Sequence, residues 1–376
     1  MTRRSRKKTG RKNRRMGRRT FLLGAGAAVC AAAGLALRRV TSPAAADSTP
    51  APPADPNPAL PAGEWRAVWV SYLEWAAMDF STEDAFRAGV VQLLDNCTGL
   101  GLNTVLAQVR PFGDALYRST LFPWSHLCTG VQGQDPGFDP LDVLLQEAHT
   151  RGISVEAWVN PYRLRSSAAM PPNLADGNLA NTHPEWVCTV DEGLYLNPAE
   201  PAAADYVVRA VHDTVKAADP TLRFGISPQG NPDNDENQQY SDVTGWLASG
   251  GGDAVVDYLC PQVYWGQGFA LHNGSTRFAF ENIVPAWLAY PRAADVALYF
   301  GLGAYRVGVG DGGSNENSLS GWSTGRALAD QVAFLREQGA GGWALYRYGS
   351  LFGPEQTSLA AAECGALAAA DGKETA

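Results

Sequence analysis

One stretch of the chain, residues 153–160, alternates apolar residues with polar or aromatic ones. Because successive side chains of a β-strand point to opposite faces, one face of this stretch is apolar and the other carries Glu156, Trp158 and Asn160. Pro161 has no N–H to donate to a ladder, so the strand is predicted to end there. The polar residues then lie on a buried strand and at its C-terminal end.

Six more runs of this kind occur along the chain. The seven predicted strands are residues 66–72, 104–110, 153–160, 222–227, 255–264, 296–302 and 342–348. Helical patterns lie between them at 82–100, 140–151, 203–218, 241–247 and 323–338. This alternation predicts βα units around a parallel sheet. No Gly-rich phosphate loop follows a strand, which favours a TIM-type β/α barrel over an open doubly wound sheet. A standard barrel has eight strands, so the predicted fold is an α/β barrel short of one βα unit.

The N-terminal part of the chain has a different composition. Residues 1–46 hold 13 Lys or Arg and no Asp or Glu, and they include Arg18 and Arg19, an apolar run and an Ala-rich end. This pattern is typical of a twin-arginine signal peptide. The next residues are Pro-rich, as in a stiff spacer. The predicted organisation is a signal peptide at 1–46, a linker at 47–62, the barrel at 63–355 and an Ala-rich C-terminal tail at 356–376.

The charge of the protein depends on this signal. The whole chain carries a formal charge of −8, but without residues 1–46 it has 17 basic and 38 acidic residues, a formal charge of −21. Such a surface repels nucleic acid and anionic lipid, so no nucleic-acid partner is expected. We expect an exported protein, extracellular or in the cell envelope. The alternative to a cleaved signal is a membrane anchor formed by residues 20–37.

Cysteine and histidine residues show no pattern of a metal or nucleophile site. The five cysteines that follow the signal are Cys97, Cys128, Cys188, Cys260 and Cys364. They form no C-x-x-C motif and no Cys–His spacing suggests a zinc site, so neither a metal nor another cofactor is predicted. At most two disulfides are possible, and buried free thiols are expected for some of the five. A Ser/His/Asp hydrolase is not supported, because no G-x-S-x-G motif occurs.

Polar and aromatic residues gather at the predicted strand ends. Alternation points Gln108 and Arg110 inward with Glu156, and later strands add amide and Tyr side chains. Such residues hydrogen-bond sugar hydroxyls and stack on pyranose faces. Glycoside hydrolysis usually needs two carboxyl groups, for which the candidates are Glu74, Glu156 and Asp114. Each has a structural alternative: Glu156 would pair with Arg110 inside the barrel, and Asp114 would orient Arg110 through a bidentate pair.

Nine segments resemble the bacterial glycosyl-hydrolase-like family 10. They are RAVWVSY (66–72), QVRPFGDALY (108–117), PWSH (123–126), DPGFDPL (135–141), EAWVNPYR (156–163), YLNP (195–198), FGISP (224–228), DYLCPQVYW (257–265) and GLGAY (301–305). The resemblance implies an envelope protein of β/α-barrel fold whose partner is a glycan, with peptidoglycan or another amino-sugar polymer as the substrate. In that context the predicted catalytic residues are Glu74 and Glu156. The predicted substrate-binding residues are Arg110, Asp114, Asn160, Tyr162, Arg163, Asn197, Gln262, Tyr264, Trp265 and Tyr305.

The chain departs from the family at one place. The family usually has a strand bearing a DGIHFDDY-type motif, whereas here the predicted helix 203–218 leads directly to the strand at 222–227. The paired aspartates are therefore absent. A gap is expected in the barrel at this place, filled in part by a hairpin at 186–196. Three alternatives follow: a glycosidase that uses other carboxylates, a barrel that binds glycans without cutting them, or a shortened gene product.

Two further expectations can be checked in a structure. Glycosidase carboxyl groups lie roughly 5 to 9.5 Å apart across the site, so a pair at that spacing would favour the enzyme and its absence the binding protein. Arg110 is expected to orient an acidic or acetylated sugar substituent through its planar fork, with Asp114 holding it.

Overall fold

The structure is a computed structural model that describes residues 63–203, 206, 221–233, 242–247, 256–353 and 356–371. The predicted signal peptide and linker lie outside these ranges, as does most of the predicted helix 203–218. The strands are β1 (Trp65–Val70), β2 (Thr104–Arg110), β3 (Ser154–Val159), β4 (Arg163–Arg165), β5 (Val187–Val190), β6 (Gly193–Leu196), β7 (Gly225–Ile226), β8 (Tyr258–Leu259), β9 (Gln262–Val263), β10 (Ala297–Leu298), β11 (Phe300–Leu302) and β12 (Gly342–Leu345).

The helices surround the sheet or follow its strands. They are α1 (Tyr72–Trp75), α2 (Glu83–Gly99), α3 (His126–Thr129), α4 (Pro140–Thr150), α5 (Leu179–Thr182), α6 (Val243–Trp246), α7 (Phe280–Leu288), α8 (Asn317–Ser320), α9 (Ala327–Glu337), α10 (Tyr348–Phe352) and α11 (Ser358–Ala370). Short 3₁₀ turns lie at Pro184–Trp186, Ala304–Arg306 and Gly321–Ser323. None of the described helices is both long and apolar enough to cross a membrane.

The central strands are parallel and follow a circular order. β1 pairs with β2 on one side and with β12, the last strand, on the other. β2 continues to β3, and β12 continues to β11. β8 and β9 run in succession beside β10 and β11, with a continuous ladder that includes the bonds from Tyr299 N to Leu259 O and from Gly301 N to Pro261 O, each 2.9 Å. β7 pairs with β8. This gives seven strand positions in barrel order, which confirms the predicted fold class.

The barrel is open between β3 and β7. Among the residues that the structure describes, no strand pairs with the free edge of either one. We call this side the open seam, and it lies where the sequence predicts the missing unit. The expectation that the 186–196 hairpin fills it is wrong. β5 and β6 pair instead with β4 in a separate antiparallel sheet, because the chain after Pro161 turns out of the barrel and offers β6 an edge.

Local sequence signals account for the helices beside the early strands. Thr82 caps α2 by accepting a hydrogen bond from Ala85 N at 3.1 Å. Asp139 caps α4, whose first residue is Pro140, a position where proline costs no hydrogen bond. The apolar faces of these helices and the outer faces of the strands form the larger core. A smaller core inside the barrel contains aromatic residues of β1, β8 and the β10–β11 strand.

Seven of the described helices were not predicted, and the two longest of these are α7 and α11. α7 contains Pro285, which interrupts a helical pattern. α11 lies in the segment predicted as a tail, where alanines give little apolar contrast although alanine is the best helix former. Its Glu363 is fully buried and accepts hydrogen bonds from Ala327 N at 2.7 Å and Leu328 N at 2.9 Å. The C-terminal helix therefore caps α9 and packs on the outer layer.

Candidate functional site

Aromatic rings cover the bottom of the barrel mouth at the C-terminal ends of the strands. Tyr346 makes contacts with four others: its ring stacks on Tyr264 with centroids 5.5 Å apart, and its edges meet Trp69 at 5.8 Å, Tyr305 at 6.0 Å and Trp158 at 6.5 Å. We call these five residues the aromatic floor. All but Trp69 are partly exposed, so the floor offers ring faces and edges to a ligand.

An amide pair links the strand ends beside this floor. Gln108 is buried, accepts a hydrogen bond from Tyr72 N at 2.8 Å and donates one to the side-chain oxygen of Asn160. Asn160 is only partly buried, as the sequence predicts for a residue at a strand end. Gln108 thus ties the exits of β1 and β3 together and sets the position of Asn160.

Arg163 lies at the mouth between two aromatic rings. Its Nε donates to Pro111 O at 3.0 Å, and its guanidinium carbon lies 4.8 Å from the centroid of Phe112 and 5.4 Å from that of Tyr72. Burial lowers the pKa of Arg163, an effect that the phenol of Tyr72 opposes. The sequence predicts Arg163 as a binding residue but misses the two rings, although both follow strand ends.

Arg110 does not have the predicted surroundings. A bulge shifts the register of β2 against β3 between Gln108 and Arg110, and a bulge re-aims the side chain at that point. Arg110 is 3% exposed and its guanidinium carbon lies 4.2 Å from the Phe122 centroid. Burial lowers the pKa of Arg110. Its Nη1 is 3.5 Å from Pro161 O, while its Nε and Nη2 have no hydrogen-bond partner among the described residues.

The predicted pair between Asp114 and Arg110 is wrong. Asp114 is fully buried and its Oδ2 accepts from Gln132 at 2.9 Å and lies 3.4 Å from His126 Nδ1. Asn178 continues this network by donating to Gln132 at 3.3 Å. The loop after β2 folds its polar residues onto one another, so Asp114 stabilises the loop and acts on Arg110 only through longer-range attraction.

Glu74 is held by structural contacts on both carboxylate oxygens. One oxygen accepts from Ser71 N at 2.8 Å and from the Ser71 hydroxyl at 2.5 Å, in the capping box of α1. The other accepts from Arg347 and from Gly349 N at 2.9 Å. The side chain is 6% exposed. Glu74 therefore joins the exits of β1 and β12 and has no oxygen left to serve as an acid, base or nucleophile.

Glu156 is engaged across the open seam. Its carboxylate accepts a hydrogen bond from the hydroxyl of Tyr258, and its Oε1 lies 3.8 Å from Arg223 Nη1. Arg223 in turn donates to the Tyr299 hydroxyl at 2.8 Å. Burial raises the pKa of Glu156, partly offset by Tyr258 and Arg223. The expected partner, Arg110, is wrong, because the bulge in β2 directs Arg110 elsewhere.

The two predicted catalytic carboxylates do not face each other. Glu156 points inward from β3 one position deeper than Trp158, whereas Glu74 follows the end of β1. Successive inward positions are roughly 6.6 Å apart along a strand, so Glu156 lies deeper than Trp158, at the level of Trp69 in the ladder, and Glu74 lies beyond the strand ends. The two carboxylates share no hydrogen-bond partner among the described residues.

The remaining predicted residues divide into two groups. Gln262 donates to Ser227 O at 3.1 Å and lies at the floor with Tyr264 and Tyr305. Three others serve the framework. Trp265 stacks on Phe278 with centroids 4.9 Å apart, Asn197 accepts from Ala199 N in a turn at 3.1 Å, and Tyr162 packs against the core beside the β4–β6–β5 sheet.

The described residues contain no group of three or more His, Cys, Asp or Glu side chains that could hold a metal ion. The five cysteines after the signal are free thiols, three of them buried. Burial raises the pKa of Cys97 and Cys128 to about 12, so neither supplies a thiolate at neutral pH. Among the described residues, the groups that the mouth offers to a ligand are aromatic rings, amides and arginine.

The chain matches the sequence profile of the family "Glycosyl hydrolase-like 10" over residues 64–216 and 205–316. The chain therefore belongs to this family. The two matched ranges overlap at residues 205–216, within the predicted helix 203–218 that leads directly to the strand at 222–227.

Two relatives show the same relationship. The chain is 27% identical to "Glycosyl hydrolase YngK" of Bacillus subtilis, with 73% of this chain and 66% of that protein covered. It is 25% identical to "Glycosyl hydrolase DigH" of Escherichia coli K12, with 65% and 74% covered. The match thus spans about two thirds to three quarters of these relatives. Among solved structures, the cyclic α-maltosyl-(1→6)-maltose hydrolase of Arthrobacter globiformis has a TM-score of 0.47 at 12% identity, with 81% of this chain and 82% of that one covered.

Proposed function

We propose that this protein binds a cell-wall or exopolysaccharide glycan at the mouth of its barrel, and that Glu74 and Glu156 do not hydrolyse it as a pair. The observation that carries the proposal is the aromatic floor. Rings that are packed on one another yet partly exposed provide stacking surfaces for pyranose faces, at a small entropic cost because they are already ordered. The amides of Asn160 and Gln262 lie beside them as partners for sugar hydroxyls.

The state of the carboxylates supports binding over cleavage by these residues. A glycosidase needs one carboxyl group to protonate the leaving oxygen and another to act as nucleophile or base. Both oxygens of Glu74 accept hydrogen bonds from protein groups. Glu156 accepts one from Tyr258 and lies one inward position deeper on β3 than Trp158. The family's paired aspartates are missing from the sequence. The mouth therefore offers rings and amides for binding a glycan. Its described carboxylates do not form the pair of acid and nucleophile or base that a glycosidase needs.

Hydrolysis by another carboxylate is the second candidate. Family membership favours it, and so does an acidic run, DNDE at 233–236, which follows the strand end at β7. Only Asp233 of this run lies within the described residues; it is exposed and pairs with Arg277 at 2.6 Å.

A pull-down combined with a reducing-end assay tests the two candidates. The purified barrel is mixed with insoluble sacculi or with purified exopolysaccharide, and both bound protein and released sugar ends are measured. Binding without release supports the proposal. Release of sugar ends that survives Glu74→Gln and Glu156→Gln but is lost in Asp235→Asn or Glu236→Gln supports the second candidate. Absence of binding to every glycan overturns both.

A matched pair of variants tests the floor itself. Tyr305→Ala removes a partly exposed ring of the floor, and Tyr290→Ala removes a ring at the end of α7, on the outer layer. Loss of one stacking ring should weaken glycan binding about tenfold, whereas the control should bind as the parent does. Equal binding by both variants would place the glycan elsewhere on the protein.

We further propose that the protein works outside the cytoplasm, where such glycans lie. The support is the twin-arginine pattern at residues 18 and 19 and the Ala-rich site before residue 47. The double variant Arg18→Lys with Arg19→Lys should leave the full-length chain in the cytoplasmic fraction. Unchanged export of that double variant would contradict the proposed route.

A further inference from the structure

We propose that Arg163 binds a carboxylate carried by the glycan, so that the substrate class is an acidic polysaccharide. This inference rests on the proposed function and adds the chemical group that the mouth selects. It follows from the way Arg163 is held, from the state of the acidic residues around it and from the hydroxyl groups close to it.

The guanidinium of Arg163 is held in place, but two of its nitrogens have no hydrogen-bond partner among the described residues. The bond from its Nε to Pro111 O and the rings of Phe112 and Tyr72 hold the guanidinium plane in place. Its Nη1 and Nη2 have no hydrogen bond or ion pair with any described residue, and they are not enclosed by protein atoms. Four N–H donors thus remain for a ligand, in a fork whose entropy of ordering has already been lost.

The carboxylates near the mouth form no ion pair with this guanidinium, and Asp114 acts on it only through longer-range attraction. Glu74 is taken up by Ser71, Arg347 and Gly349, and Asp114 by Gln132 and His126. The cation of Arg347 is in turn paired with Glu74. Arg163 is therefore a partly exposed cation at the floor whose charge the described residues leave without an ionic partner; Arg110, which is buried, and Arg306 beside Tyr305 also form no ion pair with them. Partial burial of the Arg163 guanidinium lowers the local dielectric constant and so strengthens its attraction to an anion.

The donor set of the site specifies the ligand group. Arginine only donates hydrogen bonds, so the ligand must present acceptors, and a planar fork matches the two oxygens of a carboxylate. The phenols of Tyr72, Tyr195 and Tyr346 lie close enough to influence the pKa of Arg163, and each supplies one O–H donor. The fork of Arg163, with these hydroxyl donors beside it, matches the two oxygens of a planar carboxylate on a sugar.

Two hexasaccharides that differ only in charge test the inference. One alternates N-acetylglucosamine with glucuronate, and the other is the same chain with each carboxylate reduced to a hydroxymethyl group. Isothermal titration with the full barrel should show at least tenfold tighter binding of the acidic chain, since a charge-assisted bidentate contact is being added. The preference should shrink as salt rises.

Variants show whether Arg163 supplies this preference. Arg163→Gln should bind both hexasaccharides equally, and Arg163→Lys, which keeps the charge but loses the fork, should keep only part of the preference. Arg326→Gln is the matched control, because Arg326 is an exposed arginine at the start of α9. Thermal unfolding of each variant shows that it is folded, and Arg163→Lys decides the point if the glutamine variant does not fold.

Each outcome separates this inference from the proposed function. Equal affinity of the parent for both chains overturns the carboxylate inference and leaves glycan binding in place. A preference that persists unchanged in Arg163→Gln and Arg163→Lys assigns the acid to another residue and also overturns it. Failure of the parent to bind either chain while it still binds glycan in the pull-down overturns the carboxylate inference alone, and failure to bind any glycan overturns both proposals.

Discussion

Glu156 accepts a hydrogen bond from the hydroxyl of Tyr258, a residue 102 positions later in the chain, across the open seam of the barrel. With Arg223 at 3.8 Å, this contact joins β3 to the β7–β8 side, where no described strand supplies backbone hydrogen bonds. A deep carboxylate of a glycoside hydrolase-like barrel thus serves as a side-chain link in place of a missing strand.

The link can be measured with a double-mutant cycle. Glu156→Ala and Tyr258→Phe should each lower the free energy of unfolding by about 1 to 3 kcal/mol, because each removes one side of the hydrogen bond and leaves the other without its partner. The double variant should lose less than the sum, since the second change has no bond left to break. Urea unfolding of the four proteins gives the coupling energy. Strict additivity would show that the two residues do not stabilise the seam together.

The same carboxylate predicts a dependence of stability on pH. Burial raises the pKa of Glu156 in the folded protein, so its contribution is fully present below the ordinary glutamate pKa of about 4.3 and is lost as pH rises through the folded value. As pH rises through that range, the free energy of unfolding of the parent should therefore fall relative to that of Glu156→Gln. A difference that is flat with pH would mean that Glu156 titrates as it does in the unfolded chain.

Substitution of Glu74 tests whether its role is structural or catalytic. Glu74→Gln removes the charge that pairs with Arg347 and should lower the free energy of unfolding by about 2 to 3 kcal/mol. Glu83→Gln, which breaks an exposed pair with Arg87 on α2, should cost less than about 1 kcal/mol. If Glu74→Gln kept its stability and lost an otherwise measurable release of sugar ends, Glu74 would be catalytic.

Glu363 tests whether the C-terminal segment belongs to the fold. Glu363→Ala removes the acceptor of two N–H groups at the start of α9 and should destabilise the protein by about 1 to 3 kcal/mol. The exposed Glu337 at the end of α9 provides the control as Glu337→Ala, with an expected change within about 0.5 kcal/mol. Thermal or urea unfolding decides; equal stability of the two variants would show that α11 is dispensable.

Much of this molecule follows from sequence patterns that are local. Alternation along 153–160, the threonine before α2 and the Asp-Pro pair before α4 predict elements that the structure contains. The number of strands also predicts an incomplete barrel with its gap before β7. Such features depend on neighbouring residues and on the period of the side chains, which are written in the chain itself.

Only the tertiary structure decided what the charged residues do. Glu156 was expected to meet Arg110 but meets Tyr258 and Arg223, because one bulge in β2 turns Arg110 away and because closure of the sheet brings a distant strand near β3. The same closure places Glu74 beside Arg347, which follows the last strand, and leaves Arg163 without an ion pair at the mouth. A sequence can show which residues end a strand, but the partner of a charge depends on contacts between residues far apart in the chain, and those exist only once the barrel has formed.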